Sequence, residues 1–350
     1  MHKLLLVLLV SALLLAPTTP ATPGHRVHLL PEFKTGDILR YQIETRMTTA
    51  GKTATPIINP EGATQLKQSA SITLRLDVLE VHPGAKGALG PMRLRATYEK
   101  STASSETDAY DPDSAALVDQ YNRLEGRSME FTVQPDGKFT DIKGLEDMLS
   151  NPSAAQTVRS WMAGLSSSTS FPPEGIAIGQ KWSREQPLTG IPLSGLSWRT
   201  EATYLRNEPC PENISTTDSQ TAAGSIPSVS SMPDPKLQSS TSEMCAAILT
   251  QFTIIHRGSR GSRSGETPED YRRNGLRTSG TWTGSGQSLD SISLATGRVI
   301  RSTQSSSQDV DYSIASTTTG SKLTYKGKIE TQSQINLLPQ EQPQPRSTSP

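Results

Sequence analysis

The sequence predicts a mainly β protein, built on a large curved antiparallel sheet, half-barrel or sandwich-like, with a helical insertion around residues 144–165. Three observations predict it. Apolar and polar residues alternate in run after run, with the period of a half-buried strand. Clusters of glycine, proline and aspartate separate those runs where hairpins must turn. One stretch, after Gly144, departs to helical spacing. Hydrophobic residues make up 33% of the chain and the mean hydropathy is −0.45, which points to a modest core beneath long polar surfaces.

Strands begin after Gly36-Asp37, where Leu39, Tyr41 and Ile43 alternate with Arg40, Gln42 and Glu44. A loop with Gly51, Pro56, Pro60 and Gly62 leads to residues 71–81, in which Ile72, Leu74, Leu76 and Val78 share a face. His82-Pro83-Gly84 turns the chain toward Met92, Leu94, Ala96 and Tyr98. Residues 111–123 read as a weak helix or an irregular surface excursion, because Pro112 and the neighbouring Asp and Ser residues favour caps and turns.

Met129, Phe131 and Val133 form one arm of a hairpin, Pro135-Asp136-Gly137 its turn, and Phe139 and Ile142 the return. Leu145, Met148 and Leu149, then Val158, Trp161, Met162 and Leu165, recur at helical spacing, and Asn151-Pro152 divides them into two short helices. Pro172-Pro173 and Gly175 lead back to sheet at Lys181-Trp182. The second half repeats the strand pattern: Leu196 to Tyr204, residues 246–256, 276–282, 287–294 and 298–312, with Gly284-Ser285-Gly286 and Ala295-Thr296-Gly297 as expected turns. Leu323, Tyr325, Ile329, Ile335 and Leu337 complete about a dozen strands.

The N-terminus has a short basic start (His2, Lys3), an apolar run of about 13 residues from Leu4 to Ala16, and a small-x-small pattern ending at Ala21. It reads as a cleavable secretory signal, residues 1–21. Residues 22–34 then read as a linker, 35–338 as the β-rich domain, and 339–350 as a disordered tail. The domain could hold two halves meeting near 165–182. No later apolar run is long enough for a membrane-spanning helix. Cys210 and Cys245 are the two cysteines, and in an exported chain they are expected to bridge at the base of the Ser/Thr/Pro-rich loop 211–244. Closing a loop of that length stabilises by about 3–4 kcal/mol in the chain-entropy model. The balance of 34 basic against 34 acidic residues gives no electrostatic reason to expect nucleic acid.

The order of GDILRYQIE, FTVQPDGKFTDIKG, FPPEGIAIGQKW and GTWTGSGQSLDSISLATGRVIRS resembles a group of uncharacterised exported bacterial proteins known only as a domain of unknown function. The resemblance covers residues 33–338 and implies a secreted or periplasmic β-rich domain with no assigned activity. At fold level, a curved antiparallel sheet with a helix against its concave face is similar to the half-barrels that carry lipoproteins or lipids across the periplasm.

The motifs of catalysis are missing. Lys34-Thr35-Gly36 lacks the Ser-x-x-Lys that would make it part of a serine-enzyme site, and there is no Gly-x-Ser-x-Gly elbow or phosphate-cradling loop. His25 and His28 lie three apart without further ligands nearby, so no metal or other cofactor is expected. Binding is the leading reading, and an enzyme built from carboxylates distant in sequence, such as Asp111 and Asp113 or Glu269 and Asp270, stays open as the third. The helical stretch has a large apolar face for so polar a chain, and Met148, Trp161, Met162 and Leu165 are the candidate wall residues for a lipid or other amphiphile; the same face could instead complete the core. Arg257, Arg260, Arg263, Arg272 and Arg273 form a basic loop that could meet an anionic group, or a solvated hairpin tip neutralised by Glu266, Glu269 and Asp270. The function these features favour is a non-enzymatic exported envelope protein that shelters an amphiphile; the alternative is a structural or interaction module with an envelope protein partner.

Overall fold

The computed structural model describes residues 26–29, 31–54, 63–84, 89–108, 112–135, 139–148, 171–172, 174–188, 191–211, 243–257 and 267–339. They form one eleven-stranded antiparallel sheet that is not closed into a barrel. In chain order the strands are β1 (Ile38–Ala54), β2 (Ala63–Pro83), β3 (Leu89–Thr107), β4 (Ser128–Val133), β5 (Phe139–Lys143), β6 (Lys181–Pro187), β7 (Leu196–Pro209), β8 (Met244–His256), β9 (Leu276–Ser293), β10 (Val299–Ser316) and β11 (Lys322–Leu337). Among the described residues three short helices join them: α1 (Pro112–Asn122), α2 (Leu145–Met148) and α3 (Glu269–Arg273). Among the expected features of residues 144–165, α2 is described; residues 149–170, the signal segment, the 212–242 stretch of the long loop and the tail from 340 lie outside the described residues.

Two meanders run away from a central seam. The spatial order is β5-β4-β3-β2-β1-β11-β10-β9-β8-β7-β6, so the first and last strands of the chain are neighbours and the edges are β5 and β6. The seam is long, running in register from Tyr41 opposite Leu337 to Ala54 opposite Thr324. Local hairpins build each meander, and the seam then joins segments almost a whole chain apart. One expected turn is corrected: Gly284-Ser285-Gly286 lies inside β9, which runs unbroken past it and pairs with β10 throughout. The Ala295-Thr296-Gly297 turn is present, with Gly297 at φ 63°.

Register puts alternate residues of all the strands on a common face. Leu39, Tyr41 and Ile43 lie across from Leu76, Leu74 and Ile72, while Tyr41 and Ile43 lie across from Leu337 and Ile335. At this end of the sheet the face is closed by two clusters. One joins Val78, Leu94, Ala96 and Phe131, with Phe33, Met129 and Phe139 packed on it. The other joins Leu29, Ile176, Ala202, Tyr204, Ala246, Ile248 and Ile292, with Phe171 and Trp182 against it. Burying each large side chain there is worth about 1.5–3 kcal/mol.

Residues 26–29 and 31–37 form a strap across that end. Val27 exchanges backbone hydrogen bonds with Ile176, the Glu32 amide donates to the Thr296 carbonyl, and the Gly36 amide donates to the Val78 carbonyl at 2.8 Å. Arg298 pairs with Asp37, donates to the Glu32 carbonyl and stacks over Phe33. Leu29 belongs to one cluster and Phe33 to the other, so the strap ties the two clusters together. Burial beneath it pushes the Tyr41 phenol up to about 12, against the pull of Arg298.

Candidate functional site

The two faces of the sheet differ in charge. On the face that carries the clusters, the residues held in strand register include two charged side chains, Arg184 and Asp290. The opposite face bears the ion pairs: Arg75 with Asp77 at 2.7 Å, Arg93 and Arg95 with Glu130, Lys326 with Asp311, and Lys328 with Glu330. Hydrogen bonds from Arg93 and Arg95 hold the Glu130 carboxyl below its ordinary range.

The uncharged face continues well beyond the clusters. Next to them runs a belt of small neutral groups: Thr45, Ala70, Thr250, Ser288 and Ser333 are half-buried, and Gln304 is exposed. Past the belt large apolar side chains return among polar ones: Met47, Ile329, Phe252 and Trp198 are half-buried, and Thr331, Gln308, Thr200 and Arg184 share their rows. Trp282, Tyr312 and Tyr325 follow as a row across β9, β10 and β11. The Trp282 and Tyr312 rings are 6.3 Å apart and almost parallel, and Tyr325 lies 5.7 Å beyond Tyr312. Trp282 Nε1–H donates to Gln308 Oε1 at 2.8 Å, and burial pushes the Tyr312 and Tyr325 phenols up.

Glycine makes this row possible. Gly51 and Gly327 are paired across the seam, and a Cβ on either would stand within 3 Å of the Tyr325 hydroxyl oxygen. Gly286 lies beneath the Phe252 ring in the same way. Rings laid over bare backbone shield strand hydrogen bonds that glycine would leave open. The result is a flat, half-buried apolar surface rather than an enclosed hole.

Two open hollows, about 640 and 510 Å³, lie side by side, lined mostly by the other face, and share Gln287, Ser305 and Gln332. Serine, threonine and glutamine dominate their linings, with Leu249 and Leu289 in the second. They are troughs between rows of polar side chains.

The sequence-predicted site residues are distributed as follows. Met148 ends α2 and is half-buried; Trp161, Met162 and Leu165 lie outside the described residues. Arg257 pairs with Glu185, whose carboxyl it holds below the usual range. Arg272 and Arg273 share Glu269 on α3, at 2.7 and 3.3 Å. Arg260 and Arg263 lie outside the described residues. Cys210 and Cys245 are joined as a disulfide, with Cα atoms 4.9 Å apart. The aromatic row and Asp290 did not figure among the expected site residues. Their signal is parity: Trp282, Gly284, Gly286, Ser288, Asp290 and Ile292 are alternate residues of one strand.

No family model and no curated protein matches the chain. Among solved structures it is similar to lipovitellin, from work entitled "Lipid-protein interactions in lipovitellin", at 12% identity and a TM-score of 0.38, over 89% of this chain and 26% of that one. It is also similar to an outer membrane channel from Pseudomonas putida F1, at 8% identity and a TM-score of 0.21, over 91% of this chain and 100% of that one. The chain thus spans about a quarter of the lipovitellin chain it aligns with. Both likenesses are distant and concern the fold. Among the described residues no helix is long and apolar enough to cross a membrane, which leaves strands out of account.

Proposed function

We propose that the protein is an exported envelope component without chemistry of its own that holds an apolar or amphiphilic ligand against the uncharged face of its sheet. One observation carries this reading. A sheet in water needs only one apolar end to fold, yet here the uncharged character continues past the closed clusters to the half-buried Trp282-Tyr312-Tyr325 row. Such a surface favours the acyl or ring portion of an amphiphile, and away from Arg184 and Asp290 it offers a charged group no counter-charge in strand register. The helical stretch 144–165, with Met148, Trp161, Met162 and Leu165, would supply the opposing wall. The Cys210–Cys245 bridge supports export, since such bonds persist in oxidising compartments.

The test is extraction. The protein is secreted through its own N-terminal segment in a bacterial host, purified without detergent, extracted with organic solvent and compared by mass spectrometry with an unrelated periplasmic protein. A stoichiometric lipid found in this protein alone is the expected result. A clean extract from folded protein overturns the reading and leaves an interaction module as the successor, to be pursued by pull-down from envelope fractions.

A further inference from the structure

We propose that Asp290 is the head-group anchor of the uncharged face, and that the ligand it receives carries a cationic amine; this rests on the ligand-binding reading above. Asp290 is the one carboxylate among the described residues held in strand register on that face. It sits on β9 between Ile248 of β8 and Ser302 of β10, at the border between the closed clusters and the neutral belt. Ser302 donates to Oδ1 at 2.5 Å and Ser288 donates to Oδ2 at 3.2 Å. A carboxylate offers roughly four acceptor positions, so about two remain.

No basic side chain among the described residues forms an ion pair with it. Arg184, the other charge in register on this face, belongs to the row of Thr200, Phe252 and Gly286, three strands over and four residues further along β9. A carboxylate removed from water without a counter-charge is an expensive group, and one that neighbours do not neutralise is suited to a charge brought from outside. Burial does push its carboxyl up, with the two hydroxyls pulling the other way. The approach is open on one side: Gln304, directly opposite Ser288 and next but one to Ser302, is exposed. An ammonium has three donors and no acceptor, which fits a site with acceptor capacity left and hydroxyls free to rotate. The chain of such a ligand would then lie along the belt toward Phe252 and the aromatic row.

The experiment compares three twelve-carbon probes of equal length, dodecylamine, dodecanol and dodecanoate, by calorimetric titration of the full exported chain near pH 7. The wild type is expected to prefer the amine over the carboxylate by about tenfold or more, the usual scale of a charge-assisted hydrogen bond. Asp290→Asn, almost the same shape, is expected to bring the two within about twofold while leaving dodecanol unchanged. Near-ultraviolet circular dichroism of Asp290→Asn matching the wild type guards against a folding defect, and Glu130→Gln, on the opposite face, should keep the amine preference. An amine preference that survives in Asp290→Asn, or a wild type that binds dodecanoate as well as the amine, overturns the inference while the ligand-binding reading stands. Binding of none of the three probes overturns both.

Discussion

The two ends of the uncharged face share the same alternation and differ in what lies over them. At the strap end, Leu29, Phe33, Phe171 and Ile176 cover the strands, and residues such as Phe131, Ile248 and Tyr204 are almost wholly buried. At the far end, Trp282, Tyr312 and Tyr325 remain half-buried, glycines lie beneath Tyr325 and beside Tyr312, and Val310, opposite Trp282, is buried. Strand-period patterning makes a face apolar but does not say whether chain or ligand covers it. The strap end is therefore the folding core, and the far end is the surface with capacity to spare.

The largest effect separates the ends by truncation. Phe131 packs edge-on to Phe139 at 5.1 Å within a closed cluster, so Phe131→Ala should cost about 3–5 kcal/mol in denaturant unfolding. Trp282→Ala should cost about 1–2 kcal/mol while reducing amphiphile uptake markedly. Equal costs would mean that both ends are core and would remove the distinction. The disulfide comes next. Cys245 is fully buried beside Ser293, and reduction, or Cys210→Ser with Cys245→Ser, should lower stability by about 3–4 kcal/mol without changing ligand preference.

A smaller effect tests the far end directly. In Gly286→Ala the new methyl meets both the Phe252 ring and the Ser305 carbonyl, so the ring must lift from the sheet. The expected cost is about 1–3 kcal/mol, with a change in the near-ultraviolet circular dichroism from the Trp198–Phe252 pair, whose centroids are 5.3 Å apart. Full stability in Gly286→Ala would show that the ring is not held against the backbone.

Alternation makes much of this fold legible: the hairpin at Met129–Ile142, the strand pair Val299–Leu337 and the faces of β1 to β3 follow from two-residue periodicity and turn chemistry, whereas residues 111–123, read as a weak helix or a surface excursion, are settled as helix Pro112–Asn122. The seam was not legible, because period says which face a residue takes and not which strand lies beside it. Gly284-Ser285-Gly286 misled for a related reason. Glycine suits both turns and the space beneath an aromatic ring, and only the pairing with Phe252 of β8 tells them apart. Strand parity could have marked Trp282 and Asp290 as facing the same way as Ile292. Their chemistry emerges only once Tyr312, Tyr325, Ser302 and Gln304 arrive from other strands.

The smallest effect concerns Asp290 and sharpens the comparison at its border. Its carboxyl is raised by burial, so the folded state binds the proton more tightly than the unfolded chain does. By linkage, its contribution to stability is fully present below the unfolded value near pH 3.8 and is lost as pH rises through the raised folded value. In the ligand-free protein at neutral pH the ionised group is therefore a cost, and Asp290→Asn should be more stable than the wild type at pH 7. The advantage should shrink as pH falls, and vanish below about 3.8, where wild-type Asp290 becomes protonated in both states. Glu130 runs in the opposite sense: its lowered carboxyl stabilises above the unfolded value and loses that contribution in acid, so Glu130→Gln is the control that should move the other way. Saturating amine should reverse the order at pH 7, stabilising the wild type above Asp290→Asn, because the ligand restores the counter-charge that the sheet leaves out. A variant no more stable than the wild type at pH 7 without ligand would place Asp290 in contact with water and assign it to the solvated part of the belt.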